Sequence, residues 1–187
     1  SQRGKYAYEL PENVSEVYEV YLQDVDWGKK RRKRFRLNKE QYHALRSLIL
    51  EQDIEWNVLF DLFQNHSVSL NDLLMGEDFL NAVTECYRIK YSQIVFSDFL
   101  WTMRSIYLPL FLTMGMEIPK ADLYHCVATG YAGVLGSMAK HKYGCRLLIS
   151  EHGIYTRERE EELIKAKWVT GVYKNIWIDQ FRKMSRL

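Results

Sequence analysis

The segment Ile149-Ser150-Glu151-His152-Gly153-Ile154-Tyr155-Thr156-Arg157-Glu158-Arg159-Glu160 gathers carboxylates, an imidazole, a glycine, a phenol and two guanidinium groups into one short stretch. The apolar run Cys145–Ser150 leads into it and a charged helical stretch follows. In open α/β sheets, ligands bind at the carboxyl ends of strands, where such turns lie. A hydrophobic core does not ask for this mixture; a site for a polar, hydroxyl-rich or phosphate-bearing ligand does. A neutral His152 imidazole can donate or accept one hydrogen bond. Glu151 flanks it, and Gly153 lets the backbone approach a ligand closely. The structural alternative is a histidine bonded within its own turn. Arg157 and Arg159 have the chemistry to grip phosphate. They also stand at helical spacing from Glu161 and Glu162, and the spacing supports helix pairing equally well.

A second loop belongs with the first. Thr129-Gly130 closes the apolar run Asp122–Ala128 and opens a helix over Gly130–His141, which Tyr143-Gly144 ends. Free backbone N–H groups and the helix dipole make such a junction a ready site for an anion or a hydroxyl. Gly133 and Gly136 lie within that helix, where each glycine costs about 1 kcal/mol relative to alanine. Close approach of helix to sheet is the structural reason to keep them. Cys145–Ser150 then forms a second strand, completing a β-α-β unit, and such units make parallel strands by a right-handed crossover. His125 reads as a core or edge histidine, and Asp122 caps the strand entry. No metal-ligand set, P-loop, dinucleotide-binding glycine motif or G-x-S-x-G elbow occurs.

The elements that must hold these turns are legible around them. The N-terminus reads as β: Tyr6–Leu10 stops at Pro11, and Val14–Leu22 shows imperfect alternation. Residues 38–116 read as a helical insertion. Asn38 caps a helix through Leu50, a second covers Ile54–Phe63, and Leu70–Leu74 is a short apolar link with Asn71 or Asp72 able to cap. A third helix covers Glu77–Tyr91, with Phe79, Leu80, Val83, Cys86 and Tyr87 on one face. A fourth, capped by Ser97 or Asp98, runs to Thr113 and should be kinked or divided at Pro109. After the His152 turn, Thr156 caps a helix to Lys165, and Trp168–Met184 forms the last amphipathic helix.

With 187 residues and 47% hydrophobic content, the chain suits one domain with a real core. The net charge of +2 hides a local event: Lys29–Arg36 carries seven basic residues in eight, without which the balance is −5. Such a run reads as a solvated connecting loop. Its sharper reading is a patch for an anionic partner, with a membrane surface ranked above nucleic acid. Cys86, Cys126 and Cys145 are odd in number and widely spaced, which fits neither a disulfide framework nor zinc and points to a reducing compartment. The most apolar segment, Phe96–Met116, is broken by Asp98, Arg104, Pro109 and Gly115, so it lacks the roughly 18 uninterrupted apolar residues of a spanning helix.

Four blocks, in order, carry a resemblance: Tyr8-Glu9-Leu10-Pro11-Glu12-Asn13-Val14, Ala121-Asp122-Leu123-Tyr124-His125, Thr129–Gly136 and Glu151–Arg159. Together they resemble the N-terminal domain of the PelF-type glycosyltransferases, within the family-4 retaining glycosyltransferases. The resemblance implies a partial Rossmann-like, acceptor-side domain of a GT-B fold spanning residues 1–187, with the donor-binding domain lying outside it. It implies transfer of a sugar from a UDP-sugar to a growing Pel-type exopolysaccharide, with no metal and no other cofactor. His152 would face the donor sugar. Thr129, Gly130, Glu151 and Gly153 would line the cleft, Tyr131 and Tyr155 would offer rings to sugar faces, and Arg157 and Arg159 would support its charge. The implied setting is the cytoplasm, peripheral to the inner membrane and its Pel synthesis proteins, and such a piece is expected to be inactive alone. The alternative from another class is a non-catalytic binding or scaffold module of a membrane-associated polysaccharide synthesis complex.

Overall fold

The computed structural model describes residues 9–19, 36–65, 68–167 and 169–187. Most of the N-terminal strand-like segments, the basic run up to Phe35, and Trp168 lie outside them. The described elements run α1 (Lys39–Leu50), α2 (Trp56–Asn65), α3 (Leu70–Leu74), α4 (Glu77–Lys90), α5 (Phe96–Met114), β1 (Leu123–Cys126), α6 (Tyr131–Tyr143), β2 (Arg146–Ile149), α7 (Tyr155–Lys165) and α8 (Val172–Ser185). The class is mixed α/β, mostly helical, with one two-stranded parallel sheet. Among the described residues no helix is long and apolar enough to cross a membrane.

The predicted helical insertion corresponds to α1–α5. Asn38 closes a full capping box: its side chain accepts from the Gln41 N–H at 2.8 Å, and the Gln41 side chain accepts from the Asn38 N–H at 3.0 Å. Ala44, Leu45, Leu48 and Ile49 then turn inward at helical spacing. Burying each such leucine or isoleucine stabilises by about 1.5–3 kcal/mol. α5 is the centre of the core, with Phe99, Ile106, Tyr107, Leu110, Phe111 and Met114 at most 1% exposed. It packs on α2, α3, α4, α6 and α8.

Several local expectations are corrected. Pro109 does not divide α5, which is one helix from Phe96 to Met114. A mid-helix proline costs about 3 kcal/mol, and burial of Ile106, Tyr107, Leu110 and Phe111 around it offsets that cost. Ser97 and Asp98 do not cap α5, which begins after Val95, and Thr156 does not cap α7, which begins after Ile154. The apolar link is a short helix capped by Ser69, whose hydroxyl accepts from the Asp72 N–H at 3.3 Å. Leu80 is 37% exposed and so lies off the buried face of α4. The described part of the N-terminal segment forms no strand. Val14 N–H closes a turn onto the Pro11 carbonyl, and Leu10, Val14, Val17 and Tyr18 stay exposed with no described strand beside them.

The β-α-β unit is present as predicted, with shorter strands. Leu123, Tyr124, His125 and Cys126 pair with Arg146, Leu147, Leu148 and Ile149. α6 covers one face of the sheet. A Cβ on Gly136 would stand 2.6 Å from both the Cys126 Sγ and a Leu147 methyl, so this glycine permits the close approach. Gly133 does not serve that purpose, because a Cβ there meets only the Thr129 Cβ at 4.0 Å. Side chains alternate across a strand, so Leu123, His125 and Leu148 lie on the face away from α6. Leu123 is 53% and Leu148 50% exposed there. A Rossmann-like sheet of more strands is not seen among the described residues.

α7 lies alongside α8. The two share a small second core of Leu163, Val169 and Ile178, joined by Tyr173, Trp177 and Phe181. α8 returns to the main body through Ile176 and Met184. It is pinned there by Lys183, whose Nζ donates to the Tyr107 hydroxyl at 3.0 Å and pairs with Glu51 Oε1 at 3.2 Å.

Candidate functional site

Parallel strands end on the same side, so the two polar turns emerge together at the carboxyl ends of β1 and β2. One leads into α6 and the other into α7. Thr129 Oγ1 donates to Glu151 Oε1 at 2.7 Å and bridges them. The Ser150 N–H donates to the Cys126 carbonyl at 2.8 Å, extending the ladder to the lip of the site. His125 Nε2 and Ser150 Oγ are 2.8 Å apart on the sheet face away from α6. No side chain caps the N-terminus of either α6 or α7.

Gly130 sits at φ 72° and ψ −134°, a conformation that side chains strongly disfavour. A Cβ there would overlap the Tyr155 ring and stand 2.6 Å from its hydroxyl. The glycine therefore accommodates Tyr155 as well as the turn. Phe181 meets the Tyr155 ring T-shaped at 5.9 Å, and the Arg159 guanidinium lies 5.7 Å from the ring centre. Burial pushes the Tyr155 phenol up, with Arg159 pulling partly the other way. Burial pushes the Tyr131 phenol well above the ordinary range, and the nearby Tyr155 adds to it. Both rings are half-buried and packed within the chain.

His152 is exposed and makes no hydrogen bond or ion pair with any described residue. The alternative of a histidine bonded inside its own turn is thus not what the structure shows. The space a Cβ would take at Gly153 is filled by the Glu158 carboxylate, reaching back from the first turn of α7. Both arginines pair along the helix: Arg157 Nε with Glu161 at 3.2 Å and Arg159 Nη1 with Glu162 at 2.7 Å. Arg159 Nε is buried with no hydrogen-bond partner among the described residues.

Thr129, Gly130, Glu151, His152, Gly153 and Tyr155 are thereby brought into one region, with Tyr131 behind it. Arg157 lies outward on α7, 74% exposed. Ser150, Glu158 and Phe181 also shape the region and were not singled out from sequence. Phe181 carried a signal: Tyr173, Trp177 and Phe181 form an aromatic row at four-residue spacing, the period of one helix face. Among the described residues no three His, Cys, Asp or Glu side chains are grouped to hold a metal ion.

Comparison with curated proteins found no match, and comparison with solved structures found none. Over residues 1–187 the chain matches DUF3492, a domain of unknown function associated with glycosyltransferase-like proteins, and it belongs to that family.

Proposed function

We propose that this domain is the acceptor-side part of a retaining glycosyltransferase of GT-B architecture, moving a sugar from a UDP-sugar onto a growing exopolysaccharide of Pel type. The observation that carries the reading is the bridge from Thr129 to Glu151, which closes two strand-end turns beside an exposed His152 that no described residue partners. The carboxyl ends of parallel strands are where α/β sheets bind ligands. Family membership and the four sequence blocks support it.

In this reading His152 hydrogen-bonds a hydroxyl of the donor sugar and fixes its orientation. Glu151, held by Thr129, stands beside it with its second oxygen available to a hydroxyl. Arg157 supplies positive charge at the cleft mouth. Retention without a protein nucleophile relies on positioning and on stabilising the departing phosphate. The phosphate contacts come largely from a donor-binding domain outside this chain. The reaction needs no metal in this reading, and the protein works on the cytoplasmic side, peripheral to the membrane.

The test is UDP release by the full-length enzyme across a panel of UDP-sugars, with residues 1–187 run alongside. The expected result is turnover with one donor by the full-length enzyme and none by the domain. His152→Ala should lower that turnover by about 100-fold. No turnover and no UDP binding by either would refute the proposal in favour of a scaffold module. Unchanged turnover in His152→Ala would refute the histidine's role.

A further inference from the structure

We propose that Phe181, on α8, is a positioning residue for the Glu151–Gly153 turn, acting through the ring of Tyr155. The inference rests on the reading of that turn as the ligand site. The turn hangs between β2 and the start of α7, so its pose follows α7. Among the described elements the backbone of α7 lies alongside α8 alone, and its first side chain, Tyr155, also meets Gly130 at the start of α6. The contact nearest the turn in that packing is Phe181 on Tyr155, T-shaped at 5.9 Å.

Tyr155 transmits the constraint because it is held on its other sides too. It lies against Gly130, so closely that no Cβ fits between them, and the Arg159 guanidinium sits over its ring. Gly130 opens α6 beside Thr129, and Thr129 holds Glu151. The turn is thus tied at both ends: directly through Thr129, and through Tyr155 and Phe181 to α8. α8 in turn is fixed to the body by Lys183 on Glu51 and Tyr107. Phe181 meets the site through the Tyr155 ring.

Hydrogen exchange and UDP-release kinetics on the full-length enzyme test this together. Phe181→Ala should speed exchange of the Ser150–Ile154 amides by about tenfold while α1–α5 stay protected. It should lower kcat/KM by about tenfold, since a small misplacement of reacting groups is costly. Phe181→Tyr, which keeps the ring, should restore both to within about threefold. In a Tyr155→Ala background, Phe181→Ala should add less than about twofold, because its route is gone. Unchanged exchange in the turn of Phe181→Ala would overturn the proposal. So would losses that multiply in the double variant. If Phe181→Ala does not fold, Phe181→Leu takes its place with the same expectations. Unchanged turnover in His152→Ala would sink the ligand-site reading alone, and the exchange comparison would still decide the positioning role.

Discussion

Lys183 and Glu51 give the sharpest energetic prediction. The Lys183 side chain is 10% exposed, and its ammonium sits between Glu51 Oε1 and the Tyr107 hydroxyl. Glu51 ends α1 at φ 62° and also holds Lys90 at 3.0 Å through its other oxygen. Glu51→Gln keeps the shape and removes the charge, leaving a buried ammonium with neutral acceptors alone. Removing one partner of a buried ion pair costs about 3–5 kcal/mol. The Glu51 side chain is 29% exposed, so water reaches it and the lower end applies, about 3 kcal/mol. Lys183→Met should cost far less, about 1 kcal/mol, because it removes the buried charge itself and Glu51 keeps Lys90. With a urea slope of about 2 kcal/mol per molar, the midpoints should fall by about 1.5 M and 0.5 M respectively.

The pH dependence of the same node has a defined sign. Burial pushes the Glu51 carboxyl up, but Lys183 and Lys90 outweigh it and hold the group below its ordinary value of 4.5. Its contribution is therefore complete above pH 4.5 and is lost as pH falls through the folded value. Glu51→Gln carries no such group, so the stability gap should close in acid. Equal midpoint shifts for the two variants, or a gap that persists undiminished at pH 3, would refute the reasoning.

The glycines at the site should separate cleanly in urea melts. Gly130→Ala should destabilise by more than about 2 kcal/mol, from positive φ and overlap with Tyr155, and Gly136→Ala should also destabilise. Gly133→Ala, with room for its methyl, should gain up to about 1 kcal/mol from helix propensity. Burial pushes the Cys86 thiol up to about 11, so alkylation at pH 8 followed by mass spectrometry should leave Cys86 intact in the folded protein while the partly exposed Cys145 reacts first. Leu148→Thr, on the sheet face that no described element covers, should shift stability by less than about 0.5 kcal/mol; a larger loss would mean that the face is covered in solution.

The helices were legible because their signals are local. Asn38 with Gln41, and the 3.6-residue rows of α1 and α4, fix start, face and end without reference to the rest of the chain. The β-α-β unit was legible for the same reason: two apolar runs, glycine punctuation and a helix of the right length. What sequence misjudged was decided by packing across distance. Pro109 stays inside α5 because neighbouring helices bury the residues around it. Thr156 and Ser97 resemble caps, yet the helices begin one residue earlier. Val14–Glu19 has strand-forming residues but no described strand beside it, and strand pairing is a property of two segments. At the site, spacing brought Thr129 and Glu151 to the same end of the sheet, but only the fold showed the bond between them. It also showed Tyr155 packed on Gly130, where the resemblance had implied a ring offered to a sugar face.

The two arginines show how far residue type can mislead and where energetics restores a distinction. Sequence left Arg157 and Arg159 equivalent, each a phosphate group's partner or a helix pair. Both are paired in the structure, yet the pairings differ in what breaking them would cost. Arg157 is 74% exposed and meets Glu161, itself 53% exposed, at 3.2 Å. Exposed pairs of this kind contribute about 0–1 kcal/mol, so a phosphate can displace Glu161 with little loss to the fold. Arg159 is half as exposed, bonds Glu162 at 2.7 Å, lies over the Tyr155 ring and has a buried Nε. Swinging it toward a ligand would strip one side from the ring that Phe181 and Gly130 hold. On the proposed reading, Arg157 is therefore the guanidinium free to turn to an anionic substrate, and Arg159 is one that the fold keeps.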